Sequence, residues 1–266
     1  VKDNKLVPRL AETAKSLWLL YLSLTVVCML AYWAAGMSIF DAISHSFSTV
    51  AIGGFSTHDA SIAHFDNPLI EFIAVFFMVV AGINFALHFL ALQKRKLKHY
   101  LKDPEFQFYV FILGSVSLIT VVVLAADGTY GSLFEALRRG LFQVVSFATT
   151  TGYATADFNS WPLFLPYVLL YAAIIGACAG STGGGMKVIR ILLIFKQGFR
   201  EVQRLIHPRA IIPIKLGKKV MSDRIVESVW GFFAVYVMAF MVMLLALLTT
   251  GLDIITAFSA VGACIN

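Results

Sequence analysis

Apolar residues dominate five stretches, residues 17–36, 68–92, 106–126, 163–179 and 226–250, and charged residues gather in the segments between them. Each stretch is close to 20 residues long. At 1.5 Å per residue, a helix of about 20 residues crosses the roughly 30 Å hydrocarbon layer of a bilayer. The pattern therefore predicts five membrane-crossing helices. Two shorter helix-compatible pieces fall in the connections, "FDAISHSFS" at 40–48 and "SLFEALRRGLFQVVS" at 132–146. Both are too short to cross. Each carries an acid in its first turn, Asp41 or Glu135, suited to the positive end of a helix dipole.

Composition supports this reading. Of 266 residues, 59% are hydrophobic and only 14% charged, with a mean hydropathy of +0.82. A soluble domain averages about 25% charged residues, so a water-soluble globule is excluded. Residues 1–15 are charged and the first apolar run is too long for a signal-peptide core. The chain starts without Met, which reads as a fragment. Cys28, Cys178 and Cys264 lie in apolar surroundings and are expected to serve as small buried hydrophobes, with no disulfide framework or zinc site.

Charge adds an orientation. Ten Lys and Arg fall between Lys187 and Arg224 against only Glu201 and Asp223, and Lys94, Arg95, Lys96, Lys98 and Lys102 follow the second apolar run. Residues 41–71 hold no Lys or Arg and four acids, Asp41, Asp59, Asp66 and Glu71. The excess of positive charge on cytoplasmic loops puts the basic segments inside and residues 41–71 and 127–161 outside. Nucleic-acid binding is the competing account of basic runs, but these runs sit at the ends of spans.

The two outside segments repeat one another. Ser48 is followed six residues later by Gly54, and Ser146 by Gly152. An aromatic comes next, Phe55 or Tyr153, and a threonine two residues on, Thr57 or Thr155. The unit is span, half-helix, glycine-bearing strand, span. A third copy starts with 226–250 and the half-helix 251–259, but the sixth residue beyond Ser259 is Ile265 rather than glycine. Such repeats mark an architecture of equivalent units around an axis.

Irregular backbone within a membrane is tolerated only where protein or a water-filled cavity surrounds it. A re-entrant half-helix followed by an extended Thr/Ala/Gly segment meets that condition. Its carbonyl oxygens can replace the water around a bare cation, and its glycines allow backbone conformations closed to other residues. Each half-helix also turns its partly negative C-terminal end toward the centre. The alternative is a re-entrant loop that only packs.

A second glycine cluster, "GACAGSTGGGMK" at 176–187, is expected to break a helix in mid-membrane. It fails the phosphate-loop pattern, because Met186 follows Gly185 and Val188 follows Lys187. A hinge or plug in the pathway, or a close-packing face between helices, remain as readings. Asn84 and His88 lie four apart on the expected helix 68–92 and are expected to bond between helices. His45, His58 and His64 lack metal-ligand spacing. Asp59 and Asp66 are either cation attractors or solvated surface. Arg138 and Arg139 are expected to turn away from the axis toward acids or lipid headgroups. No nucleophile–base set or carboxylate pair suggests an enzyme.

The stretches "SFSTVAIGGFSTHDASI", "FATTTGY", "GACAGSTGGGMKVIRILL" and "HPRA" at 207–210 closely resemble the Trk-type potassium uptake membrane subunits, the TrkH/TrkG family of the wider Trk/Ktr/HKT superfamily. The resemblance runs along essentially the whole chain. It implies an all-α polytopic protein with four span–pore-helix–span repeats around one potassium pathway. This chain then matches the second repeat (16–93), the third (106–206) and the first half of the fourth (223–266). The pore helices are expected at about 40–48 and 132–147, and the filter segments at 50–57 and 148–155. Basic cytoplasmic loops are expected at 94–105 and 207–222. By resemblance the potassium ligands are Ala51, Ile52, Gly53 and Gly54, with Thr150, Thr151 and Gly152, and Cys264, Ile265 and Asn266 in the fourth quadrant. An intramembrane gate is implied at 180–186, with Gly180, Ser181, Thr182, Gly183, Gly184, Gly185 and the following Lys187. Also implied are uptake across a bacterial inner membrane down the ion's electrochemical gradient, with or without proton or sodium coupling, a homodimer, and a peripheral cytoplasmic nucleotide-binding (RCK-type) regulatory subunit. Potassium is the transported ion; no covalent cofactor, transition metal or nucleic acid is implied. A secondary transporter with broken helices around a midplane site is the rival architecture.

Overall fold

A computed structural model describes residues 10–162 and 164–266. Most of the expected N-terminal segment 1–15, including Lys2, Lys5 and Arg9, and also Leu163, lie outside the described residues. The helices in chain order are α1 (Leu10–Ala34), α2 (Ile39–Val50), α3 (Pro68–Ala81), α4 (Phe85–Lys94), α5 (Lys98–Lys102), α6 (Pro104–Asp127), α7 (Leu133–Ala148), α8 (Phe164–Ile175), α9 (Val188–Ile206), α10 (Asp223–Leu248) and α11 (Ile254–Cys264). Short 3-10 turns occur at Ser61–Phe65 and Phe158–Ser160.

Three helices, α1, α6 and α10, are long and apolar enough to cross a membrane. Their outer faces carry exposed Trp18, Val27, Phe111, Leu118, Met238 and Val242. Apolar residues all round such a helix make lipid the natural neighbour of those faces.

Two expected spans are not continuous. The stretch 68–92 divides into α3 and α4, which bend by 91° at a break of three residues. Asn84 is therefore not on a helical face with His88. It is the N-cap of α4, its Oδ1 accepting from the Ala86 N–H at 2.8 Å. Gly82 and the capping preference of asparagine favour this stop over continuation. The stretch 163–179 also falls short: α8 has 12 residues, about 18 Å of rise, and gives way to the glycine loop 176–187 before α9. His88, expected to bond between helices, contacts the Tyr100 hydroxyl at 2.7 Å and the Val80 carbonyl at 2.9 Å.

Sequence-local chemistry explains most boundaries. Ser38 and Ser132 cap α2 and α7, each hydroxyl accepting from the N–H three residues on, that of Asp41 or Glu135. Both are serine N-caps with an acid at the third helical position. The Ser38 hydroxyl also donates to the Asp41 carboxylate at 2.6 Å, whereas Glu135 turns to Arg138 and Arg139. Asn67–Pro68 and Asp103–Pro104 start α3 and α6 with a side-chain cap and a proline in the first turn, where its missing N–H costs nothing. Within 207–222 a two-stranded hairpin pairs Lys215 with Val220 around Gly217, whose φ is +57°. The sequence reading expected only a loop there.

The half-helices α2 and α7 sit at the centre. One core cluster joins Tyr32, Ala42, Val50, Met78, Phe142 and Tyr153, from α1, α2, α3, α7 and the segment after α7. Another joins Leu124, Ala136, Val144, Leu165 and Leu169. Gly140 lets α7 lie close on α6: a Cβ there would stand 3.3 Å from Leu124 and Val121 methyls, the small-residue approach common between membrane helices. At the other end α11 packs on α10 through Phe240, Leu244, Ala257 and Val261. Cys28 and Cys178 are buried as expected, whereas Cys264 is exposed. It ends α11, a helix with only one face covered, by α8 and α10.

Candidate functional site

The ends of α2 and α7 have the same backbone. The Ser48 carbonyl accepts from the Gly53 N–H at 2.7 Å, and the Ser146 carbonyl from the Thr151 N–H at 2.8 Å. These six-residue closures each place one residue in the left-handed region, Ile52 (φ +56°) and Thr150 (φ +66°). Glycine is usual at that helix-ending position. A β-branched residue there stores roughly 1–2 kcal/mol of strain, which concentrates at functional sites. Two residues further on, Gly54 (φ +68°) and Gly152 (φ +88°) are again left-handed. The six-residue Ser-to-Gly register thus corresponds to one conformation used twice. It is a turn rather than a hydrogen-bonded strand. The third copy departs: α11 runs on to Cys264, and Ile265 has φ −84°.

The two turns touch. A Cβ on Gly54 would fall within bonding distance of the Thr151 carbonyl oxygen, so only glycine fits. Ala51, Gly53 and Gly152 are exposed, Ile52 and Thr151 buried, and Gly54 and Thr150 half-buried. A cavity of about 720 Å³ is lined by Thr150, Thr151, Gly152, Ser259 and Asn266, bringing the second turn and the end of α11 to one space. The Asn266 side chain is held by the Tyr236 hydroxyl at 3.0 Å and the Gly262 carbonyl at 2.7 Å.

The glycine loop lies against all three segments. Thr182 donates to the Val50 carbonyl at 2.9 Å, at the end of α2. A Cβ on Gly183 would stand 2.8 Å from the Thr149 carbonyl oxygen and 3.5 Å from the Ile52 side chain. The Gly184 N–H donates to Thr150 Oγ1 at 2.6 Å, and a Cβ there would stand 2.8 Å from the Asn266 carbonyl carbon. Lys187 (φ +78°) donates from its ammonium to the Gly183 carbonyl. The broken spans satisfy each other: Cys178 N–H donates to the Gly82 carbonyl, and Phe85 N–H to the Gly180 carbonyl, both at 3.0 Å. Groups freed by the α3–α4 break are thus partnered by groups freed in the glycine loop, as a membrane interior demands. Glu105 completes the seat, accepting from the Ala179 N–H at 2.6 Å.

Outside the turns, Arg138 and Arg139 pair with acids rather than lipid. Arg138 makes a two-bond contact with buried Glu71 at 2.7 and 2.9 Å and reaches Asp66 at 2.9 Å and Glu135 at 3.2 Å. Arg139 donates to the Thr155 carbonyl at 2.6 Å and pairs with Asp66 and Glu71. Asp66, one of the expected cation attractors, is thus occupied by arginines, which hold its carboxyl below the usual carboxylate range. Asp59 is exposed. His58 and His64 stack at 3.6 Å, and His45 bonds Ser56 at 2.9 Å and the Asp41 carbonyl at 2.8 Å. Among the described residues no group of three His, Cys, Asp or Glu is placed to hold a metal ion.

Sequence reasoning missed Glu71, Glu105, the Gly82–Asn84 break and the capping serines. Only the last had a readable local signal, Ser-x-x-Asp/Glu. The partners of Glu71 and Glu105 lie 67 and 74 residues away.

The TrkH family, described as cation transport proteins, matches residues 1–266. The chain is 54% identical over its whole length to the Trk system potassium uptake protein TrkH of Halomonas elongata, 53% identical to that of Escherichia coli, and 40% identical to TrkG of Escherichia coli. It spans 54–55% of those relatives' lengths. The crystal structure of the potassium transporter TrkH from Vibrio parahaemolyticus superposes with a TM-score of 0.93 at 53% identity, covering 97% of this chain and 55% of that one.

Proposed function

Because the chain belongs to the TrkH family of cation transport proteins, and α1, α6 and α10 are long and apolar enough to cross a membrane, we propose that it contributes two filter segments and a gate to a potassium-uptake pathway. One observation carries this reading. Two turns of matching backbone conformation, with strained residues where glycine is usual, meet at Gly54, and a third segment ending at Asn266 joins them on a single glycine loop. Carbonyls at Ala51–Gly54 and Thr150–Gly152 would replace potassium's water, with Asn266 and its neighbours contributing from the fourth side. The C-terminal dipole ends of α2 and α7 favour a cation there. The loop at Gly180–Gly185 lies across the path as its gate. In the same reading, the basic segments 94–102 and 187–224 face the cytoplasm. There they meet anionic lipid or a nucleotide-binding regulatory subunit, the protein is a homodimer, and uptake follows the ion's electrochemical gradient across the bacterial inner membrane.

The test is uptake of potassium against sodium by the full-length protein, in cells without other potassium uptake and in vesicles. Absence of potassium flux from folded, membrane-inserted protein sinks the reading. The gate has its own expectation. A Cβ on Gly185 (φ +75°) would stand 2.6 Å from the Gly176 Cα and 2.9 Å from the Ala173 carbonyl oxygen. Gly185→Ala must therefore displace the loop. Flux is expected to change several-fold, roughly the effect of 1–2 kcal/mol of misfit, while potassium over sodium preference stays. Wild-type flux in Gly185→Ala would remove the loop from the pathway.

A further inference from the structure

The repeat places an aromatic after each filter glycine, and the two aromatics have different fates. Phe55 is 81% exposed, whereas Tyr153 is fully buried. The Tyr153 ring enters the core between α1, α2 and α7. Its hydroxyl donates to the His45 carbonyl at 3.3 Å and stands 3.3 Å from Thr49 Oγ1. Thr49 Oγ1 lies in turn 2.9 Å from the Tyr32 hydroxyl. Tyr32, Thr49 and Tyr153 are each wholly buried.

The donors sort in one direction. Tyr153 gives its proton to a carbonyl, so it accepts from Thr49, and Thr49 accepts from Tyr32. Each hydroxyl donates once and the chain ends on backbone, so all three are satisfied. Linked hydroxyls in a low-dielectric interior reinforce one another. The Tyr153 carbonyl is anchored separately, accepting from Ser146 Oγ at 2.7 Å. The residue after Gly152 is thus held at its backbone by its own half-helix and at its side chain by the half-helix of the other unit.

We propose that the Tyr32–Thr49–Tyr153 hydroxyl chain sets the spacing between the two filter turns and so determines which alkali cation the pathway prefers. The proposal rests on the reading of those turns as filter segments. Sodium and potassium differ in radius by a fraction of an ångström, and a binding geometry is productive only when supporting side chains lock it to about 0.5 Å. None of the three is among the residues read as potassium ligands: Tyr32 lies on α1, Thr49 within the first closure and Tyr153 directly after Gly152, and all three act as positioning residues. The Gly54–Thr151 contact is where the two units meet, and this chain is a side-chain link between those units directly behind that contact. Further links are the arginine–carboxylate network, through Asp66 and the first turn of α3, and the Ala154 backbone bonds to Ser61 and Ala63.

The experiment uses the full-length protein and reads two quantities, potassium over sodium preference and thermal stability in detergent. Thr49→Val and Tyr153→Phe keep shape and remove one hydroxyl each. Both are expected to lower the preference roughly five- to tenfold, the range one hydrogen bond commands, and Thr49→Ser is expected to restore it. Tyr32→Phe, which removes only the first donor, carries the same expectation should either of the others fold poorly. Lowered stability with wild-type preference in these variants overturns the proposal. Gly54→Ala separates the layers. If it loses preference while the hydroxyl variants keep theirs, the turns are filter and the chain is not its determinant. If Gly54→Ala also keeps wild-type preference, the filter reading falls and this proposal falls with it.

Discussion

Gly54→Ala in the full-length protein is expected to abolish selective potassium uptake, and Gly152→Ala to weaken it less. Both glycines have positive φ, so alanine at either position meets the left-handed penalty of roughly 1–2 kcal/mol. Their surroundings differ. Around Gly152 a Cβ would meet nothing within 4 Å, whereas at Gly54 it would overlap the Thr151 carbonyl. That carbonyl belongs to the facing turn, so Gly54→Ala forces the two turns apart. Overpacking of this kind costs roughly 1–3 kcal/mol, about five- to hundredfold in an equilibrium, on top of the strain both variants share. Uptake rates with potassium and with sodium, at matched protein levels, provide the check. Equal behaviour of the two variants would mean that contact between the turns does not matter to transport.

Replacing Glu71 by Ala should destabilise the protein by about 3–5 kcal/mol, the range for removing one partner of a buried pair. Glu71 is 1% exposed and Arg138 6%, so the arginine would be left in the interior without its main partner. Glu71 lies in the first turn of α3 and Arg138 on α7, so the pair joins the first unit to the second. Asp66→Asn should cost far less, because that carboxylate is exposed and screened. The Asp66 carboxyl is held below its ordinary range by Arg138 and Arg139. Its contribution is therefore fully present above the ordinary carboxylate value and lost as pH falls from there through the lowered value of the folded protein. A further contrast sharpens the test: Glu71→Leu with Arg138→Met should recover much of the loss, since a hydrophobic pair replaces a buried ion pair at little cost. Thermal unfolding of the purified full-length protein compares all three variants with wild type. A midpoint for Glu71→Ala equal to wild type would show that the pair contributes nothing.

Much of the fold was legible locally. The spans α1, α6 and α10 follow from runs of apolar residues whose length matches a bilayer. The half-helices α2 and α7 follow from pieces too short to cross, and their starts from serine caps with an acid three residues on. The Ser-to-Gly register also carried conformational information, since equal spacing in two copies corresponds to equal backbone. The corrections have a common cause. Residues 68–92 have the composition of one span, but composition does not reveal that a break at Gly82–Asn84 becomes affordable when the glycine loop supplies partners for the freed groups. Residues 163–179 likewise have the hydropathy of a span, and the length of α8 is set by the loop that follows it.

The amino-acid order alone accounts for the local choices: membrane residence from hydropathy, helix starts from caps, and turn conformation where glycine and its register leave few alternatives. These depend on residues within a few positions of one another, so spacing along the chain is sufficient to read them. Long-range packing settles which turns meet, that Tyr153 is buried while its counterpart Phe55 is exposed, that Glu71 holds two arginines, and that Glu105 seats the glycine loop. Those outcomes join residues roughly 70 to 130 positions apart. They turn on which buried polar groups find partners once helices pack, and a dry interior enforces that condition far more strictly than local sequence preference does.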